Sequence, residues 1–195
     1  MSVPGDVAYD RRAGRAGATG PVHSKEAPVD EHDAAERARE VFLDDRHVHG
    51  CAEATFIVLK EAFGLPDPAD SSAAMALNGG VAYSGGVCGA VTGAAMAIGL
   101  LAERRIGDHG MAKRAARELV ANLMDGFRQA YGAIDCRELV GLDLGAPGGH
   151  DAFIASWIWR DRCLRQVEFS VRALAPLADP AVWAASLGDL ERKRG

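Results

Sequence analysis

Beyond residue 30 the apolar positions of this chain recur at intervals of three and four and nowhere alternate over a strand's length, a period that predicts helices. A first helix is expected over 31–43, burying Ala34, Ala38, Val41 and Phe42. A second is expected over 51–63, with Cys51, Thr55, Val58 and Ala62 along one side and Gly64 and Pro66 as its stop. Asp70-Ser71-Ser72 caps a short helix through Leu77. The next helix is expected over 87–104, where Gly85, Gly89, Gly93 and Ala97 recur at every fourth residue and make a smooth stripe for close helix packing. An amphipathic helix over 111–131 is expected to bury Met111, Ala115, Leu119, Leu123 and Phe127. A short helical segment follows over 136–144. After the turn Pro147-Gly148-Gly149 a long helix is expected over 151–174, with Ile154, Trp157, Leu164, Val167, Val171 and Leu174 facing the core. The expectation is an all-α, single-domain bundle of about six helices.

Residues 1–30 are rich in Gly, Ala, Pro and charge without periodicity and read as a flexible N-terminal tail; 31–178 read as the folded domain and 179–195 as a C-terminal extension. The stretch 71–102 carries no charge and is long enough to cross a bilayer, but its glycines and its short apolar part favour a buried central helix behind a glycine-rich loop, so no membrane span is expected. That loop, Asn78-Gly79-Gly80-Val81-Ala82-Tyr83-Ser84-Gly85-Gly86, brings main-chain N–H groups close to whatever sits beside it. A net charge of -5 argues against a broad phosphate-binding face, and hence against nucleic acid as a partner. Arg11, Arg12 and Arg15 are followed by small residues rather than an apolar segment, so a cytoplasmic location with reduced thiols is expected.

The chemistry concentrates at Cys51, Cys88, Cys136 and Cys163. Three of them stand where a helix should begin: Gly50 precedes Cys51, Gly85-Gly86 precedes Cys88, and Asp135 precedes Cys136-Arg137-Glu138 as an N-cap with a glutamate at the third helical position. A helix start presents unpaired N–H groups and the positive end of the helix dipole, and both favour thiolate, the form that binds metals and exchanges electrons. No Cys-x-x-Cys pair is present, which weighs against a zinc knuckle and against thioredoxin-like exchange. Cysteines dozens of residues apart share a site only where a folded bundle brings them together. On spacing alone, a shared metal or cluster site and four inert buried thiols both stand.

The segment Val87-Cys88-Gly89-Ala90-Val91-Thr92-Gly93 contains Cys-Gly-Ala-x-x-Gly, flanked by single cysteines. Together with Cys51-Ala52-Glu53-Ala54, the glycine-rich loop, Cys136-Arg137-Glu138-Leu139 before Gly141-Leu142-Asp143, and Cys163, this pattern resembles the C_GCAxxG_C_C family of redox-active proteins over 34–174. The resemblance implies a cysteine-based redox centre, with an iron–sulfur cluster ([4Fe-4S] or [2Fe-2S]) as the leading cofactor, and it implies no substrate. Four thiolates at Cys51, Cys88, Cys136 and Cys163 match the ligand demand of such a cluster. An iron left open would make the protein an oxidoreductase or a lyase; a closed cluster would make it an electron carrier. Zinc or copper held by the same thiolates, and thiol–disulfide exchange between pairs of them, are the alternatives. The long tail and the C-terminal extension depart from the family's compact form.

Around the cysteines, His47 and His49 stand in His-x-His-x-Cys as candidate ligands or proton carriers, against the plainer reading of a solvated loop. Glu53 sits in the first turn of its helix, where it compensates the dipole. Tyr83, Asn78 and Thr92 are candidate hydrogen-bond donors to sulfur, with core satisfaction the simpler role for Thr92, and Arg137 is a candidate for neutralising a cluster or pairing at the surface. Expected partners are a redox protein or a small-molecule substrate, with a homodimer compatible with the small-residue stripe.

Overall fold

The computed structural model describes residues 31–44 and 48–192; the expected N-terminal tail and His47 lie outside the described residues. Helix α1 spans Glu31–Phe42 and α2 spans Cys51–Ala62. A 3-10 segment, Ser72–Leu77, leads through the glycine-rich loop to α3 (Gly89–Ile106), α4 (His109–Tyr131), α5 (Cys136–Val140) and α6 (Gly149–Ala155). A π turn, Trp159–Cys163, runs straight into α7 (Leu164–Leu174), and a 3-10 turn, Ala175–Ala178, precedes α8 (Pro180–Arg192). No strand forms among the described residues, apart from one isolated antiparallel bridge between Val87 and Asp135. The chain is all-α, as its periodicity predicts.

Helix α2 is the centre of the bundle, packed against α1, α3 and α7. Residues 52–60 are buried without interruption, including Lys60, whose ammonium donates to the carbonyls of Asp67 (2.6 Å) and Asp70 (2.9 Å). Helix α3 approaches α2 so closely that a Cβ on Gly93 would overlap the Ala52 carbonyl and lie 3.0 Å from its carbon. Backbone therefore meets backbone along the stripe that the glycine spacing predicts. Gly85 is not part of that stripe: it sits in the loop with φ +83, facing Arg137. Helix α3 starts at Gly89 rather than at residue 87, because the bridge to Asp135 holds Val87 extended.

Two further expectations are corrected. Met111 is 61% exposed, and the buried stripe of α4 begins instead at Ala112 and continues through Ala115, Leu119, Leu123 and Phe127. Steps of four overshoot a 3.6-residue turn, so four of them back from Phe127 reach a point about 160° around the helix. The helix expected over 151–174 is broken at residues 156–157. There the Ser156 hydroxyl donates to the Phe153 carbonyl (2.7 Å) and accepts from the Ile158 N–H (3.3 Å), supplanting helical bonds, and Trp157 turns left-handed (φ 60). Trp157 and Ile154 consequently face solvent, 58% and 47% exposed, while Trp159 enters the core edge-on to Phe42 (6.2 Å between ring centroids). In the C-terminal extension α8 buries Trp183 against the body of the fold, beneath the Arg105 guanidinium (5.3 Å).

Candidate functional site

Each of the three cysteines expected at a helix start stands at one. Cys51 is the first residue of α2, Cys88 is the N-cap of α3, and Cys136 is the first residue of α5. The starts of α3 and α5 are tied together by main-chain bonds: Cys88 N–H donates to the Ile134 carbonyl (2.9 Å) and Cys136 N–H to that of Gly86 (2.7 Å). Cys163 closes the π turn, an irregularity of the kind that recurs at functional sites. All four are free thiols, with Cys88, Cys136 and Cys163 buried and Cys51 half-buried.

Gly89 is what lets the first two sulfurs meet. A Cβ at that position would overlap the Cys51 sulfur and lie 2.9 Å from the Ala52 nitrogen, so any larger residue would push α2 away. The Cys88 thiol is placed between two acceptors, the Cys51 sulfur and the buried amide oxygen of Gln166 (3.5 Å). Gln166, three residues past Cys163 on α7, was missed by the sequence reading. Its signal would have been a polar side chain on the apolar face between Cys163 and Val167.

Cys51, Cys136 and Cys163 line one cavity of about 440 Å³, shared with His49, Glu53, Tyr83 and a wall of aromatic and aliphatic side chains. The charge of Cys51 bears on each of the other three. A hydrogen bond from the Cys88 thiol outweighs burial and pulls Cys51 down to about 7, with the N–H groups of Gly79, Ala52 and Cys51 itself adding to the effect. Its partner moves the other way: holding the proton for Cys51, and buried, Cys88 is raised well above the ordinary thiol value. Burial, then the charge of Cys51, pushes Cys136 up to about 12, and the same causes raise Cys163. One sulfur is thus set up as the thiolate and three as its protonated neighbours.

The loop that supplies the Gly79 N–H is a short left-handed coil. Gly79, Gly80, Val81, Ala82 and Tyr83 have φ of 63, 72, 64, 50 and 61. For the three residues with a Cβ this conformation costs about 1–2 kcal/mol each. Asn78 anchors its near end: the side-chain amide donates to the Glu53 carboxylate (2.7 Å) and the Met75 carbonyl (3.2 Å), while its oxygen accepts from Ala52 N–H (3.0 Å) and lies 3.9 Å from the Cys51 sulfur. Glu53 also accepts from Gly50 N–H (3.0 Å) and the Ser71 hydroxyl (3.2 Å), so it caps α2 and braces the loop rather than facing an ion. Tyr83 lines the cavity with its ring 4.9 Å from that of His150.

Two of the expected neighbours of sulfur do other work. Thr92 donates to the Gly89 carbonyl of its own helix (3.2 Å), and Arg137 ties the loop to α5 and the segment after it, donating to the Ser84 carbonyl (3.2 Å) and to Asp143 (3.0 Å). His49 lines the cavity, and its Nδ1 is buried with no hydrogen-bond partner among the described residues. Among the described residues no three His, Cys, Asp or Glu side chains form a group that could hold a single metal ion. Nor is any described helix long and apolar enough to cross a membrane.

This arrangement, four cysteines with Cys-Gly-Ala-x-x-Gly at the second, matches over residues 49–175 the family described as "Putative redox-active protein (C_GCAxxG_C_C)". The chain belongs to that family. No curated protein and no solved structure matches it. The segment Cys88-Gly89-Ala90-Val91-Thr92-Gly93 has a physical reading in this chain: Gly89 makes room for the Cys51 sulfur, Ala90 is fully buried, and Gly93 admits the α2 backbone. The match ends at residue 175, so α8 lies beyond it.

Proposed function

We propose that Cys51, Cys88, Cys136 and Cys163 form one redox centre that holds an iron–sulfur cluster and exchanges electrons with a partner protein or a small molecule. The observation that carries this reading is convergence: Cys51, Cys136 and Cys163 line one cavity, and the Cys88 thiol is hydrogen-bonded to that of Cys51. A single ion needs its ligands gathered about one point, and no such group forms among the described residues; a cluster divides its thiolates over several irons and would draw on Cys51, Cys136 and Cys163 at the cavity and on Cys88 behind Cys51. When bound, such a cluster supplies one-electron transfer. The N–H groups of Gly79, Ala52 and Cys51 offset negative charge at the Cys51 sulfur.

Iron and acid-labile sulfide, quantified with an absorption spectrum on anaerobically purified protein, test the proposal. Stoichiometric iron and sulfide, lost on Cys→Ser substitution at any of the four positions, are expected. Colourless protein lacking both after reconstitution overturns it, and zinc in their place would favour a thiolate site without redox turnover.

The contact between Cys51 and Cys88 favours a second reading, thiol–disulfide exchange. Here the Cys51 thiolate attacks a substrate disulfide, and Cys88 resolves the mixed disulfide, leaving Cys51–Cys88 oxidised and the substrate as two thiols. Differential alkylation followed by mass measurement reports that pair directly.

A further inference from the structure

We infer that the left-handed coil at residues 79–83 is a redox-gated catch, held while Cys51 is reduced and released when Cys51 and Cys88 close a disulfide. The near end of the coil is fastened around Cys51. Gly79 N–H donates to the Cys51 sulfur. Asn78 is wedged against Gly50, where an added Cβ would overlap its side-chain amide, and its oxygen stands 3.9 Å from the same sulfur. The far end is pinned without any cysteine side chain. There the carbonyls of Gly85 and Gly86 accept from the main-chain N–H groups of Arg137 (3.1 Å) and Cys136 (2.7 Å), and the Arg137 guanidinium donates to the Ser84 carbonyl (3.2 Å).

Between these ends Val81, Ala82 and Tyr83 hold positive φ, a conformation their Cβ atoms disfavour, and all three are exposed, so burial offsets little of that strain. The coil instead closes on itself. Gly85 N–H donates to the Gly79 carbonyl (3.0 Å), Gly86 N–H to that of Gly80 (3.2 Å), and the Tyr83 ring lies where a Cβ on Gly79 would be. Its bonds therefore run back onto Gly79, and the position of Gly79 is set at the Cys51 sulfur.

As the thiolate, that sulfur is an anionic acceptor, and hydrogen bonds to charged groups are the stronger kind. Oxidation takes the charge away. With a small-molecule disulfide as oxidant, the Cys51 thiolate attacks one of its sulfurs and expels the first thiolate. Cys88 then gives up its proton and attacks the Cys51 sulfur of the mixed disulfide, expelling the second. Cys51 and Cys88 each lose one electron, the oxidant's S–S bond takes both, and the proton of Cys88 leaves on a released thiol. The product sulfur is neutral and fixed at covalent distance from Cys88. Gly79 N–H thus loses its anionic partner while the strain at 81–83 is unchanged. Gly79 and Tyr83 both line the cysteine cavity, so a released coil opens that wall.

The inference rests on the thiol–disulfide reading for the oxidation itself, and separate measurements decide the two. The full chain, purified without oxygen and assayed for iron and sulfide, is compared before and after treatment with oxidised glutathione. Peptide mass measurement reports the Cys51–Cys88 bond, and hydrogen–deuterium exchange on the same samples reports the coil. Amides of residues 79–83 should exchange at least about tenfold faster in the disulfide form, with those of α4 unchanged. Val81→Gly with Ala82→Gly supplies residues that take positive φ freely, and should return exchange in the disulfide form toward the reduced rate. A Cys51–Cys88 disulfide with unaltered exchange at 79–83 overturns this inference and leaves the thiol–disulfide reading standing. Faster exchange that the glycine pair fails to slow overturns it as well. No Cys51–Cys88 disulfide after oxidation, in iron-loaded or iron-free protein, overturns both.

Discussion

Gly89 lies directly against the Cys51 sulfur: its missing side chain is the space in which that sulfur sits. A residue defined by having no side chain thereby decides where the most acidic thiol of the protein is held, and how near Cys88 comes to it.

Gly89→Ala should separate close approach from helix propensity. Its Cβ would overlap the Cys51 sulfur and press on the Ala52 backbone, neither of which is the far end of a flexible side chain. A loss of about 1–3 kcal/mol in urea unfolding is expected, together with altered Cys51 reactivity. Gly99→Ala on the same helix meets nothing within 4 Å and should be neutral or stabilising by up to about 1 kcal/mol.

Alkylation of reduced, metal-free protein by iodoacetamide should single out Cys51. Its thiolate is favoured by the Cys88 hydrogen bond and by three N–H groups, so its labelling rate should rise with pH around a midpoint near 7. Cys136, pushed up to about 12, should stay unlabelled across that range, as should Cys88 and Cys163. Peptide mapping after brief alkylation at successive pH values reads this out. Equal labelling of all four would contradict the arrangement.

The same shifts set the pH dependence of stability in reduced, metal-free protein. Cys51 is depressed, so between about 7 and its ordinary value of 9.0 the native state carries fewer protons there than the unfolded chain, and stability rises with pH. As pH approaches 9.0 the sign reverses, because three raised thiols outweigh the one depressed. The unfolded chain then releases protons that native Cys88, Cys136 and Cys163 retain, so stability falls with pH from there toward about 12. Thermal melts at pH 6 through 11 should therefore peak at about pH 8 to 9, and replacing Cys136 with Ala should soften the alkaline decline.

Asn78→Ala removes the amide that joins Glu53, the Ala52 N–H and the strained loop. It leaves a buried carboxylate short of a donor, and a loss of about 1–3 kcal/mol in denaturant unfolding is expected. Because Gly79, next in the chain, supplies an N–H to sulfur, the midpoint of Cys51 alkylation should also move upward. Arg137→Ala offers the contrast. Its ion pair with Asp143 is half-exposed and should contribute no more than about 1 kcal/mol.

Much of this was legible locally. The all-α class follows from a three-and-four periodicity, and the placement of Cys51, Cys88 and Cys136 from the capping residues before them. What misled was also local. The apolar spacing around Ile154 and Trp157 continues a helix that the Ser156 hydroxyl interrupts, and steps of four carried Met111 off its face. Gln166 could not be assigned to Cys88, nor Phe153 and His150 to the cavity, because nothing in a linear pattern measures which distant faces meet.

The chain by itself determined its helices, their starts and the residue types available for redox chemistry, because these depend on neighbours a few positions apart. Only the folded arrangement decided which sulfur is the thiolate and which cysteines share a cavity. Burial and hydrogen bonding across α2, α3 and α7 set those properties, and both are sums over contacts that sequence separation does not record.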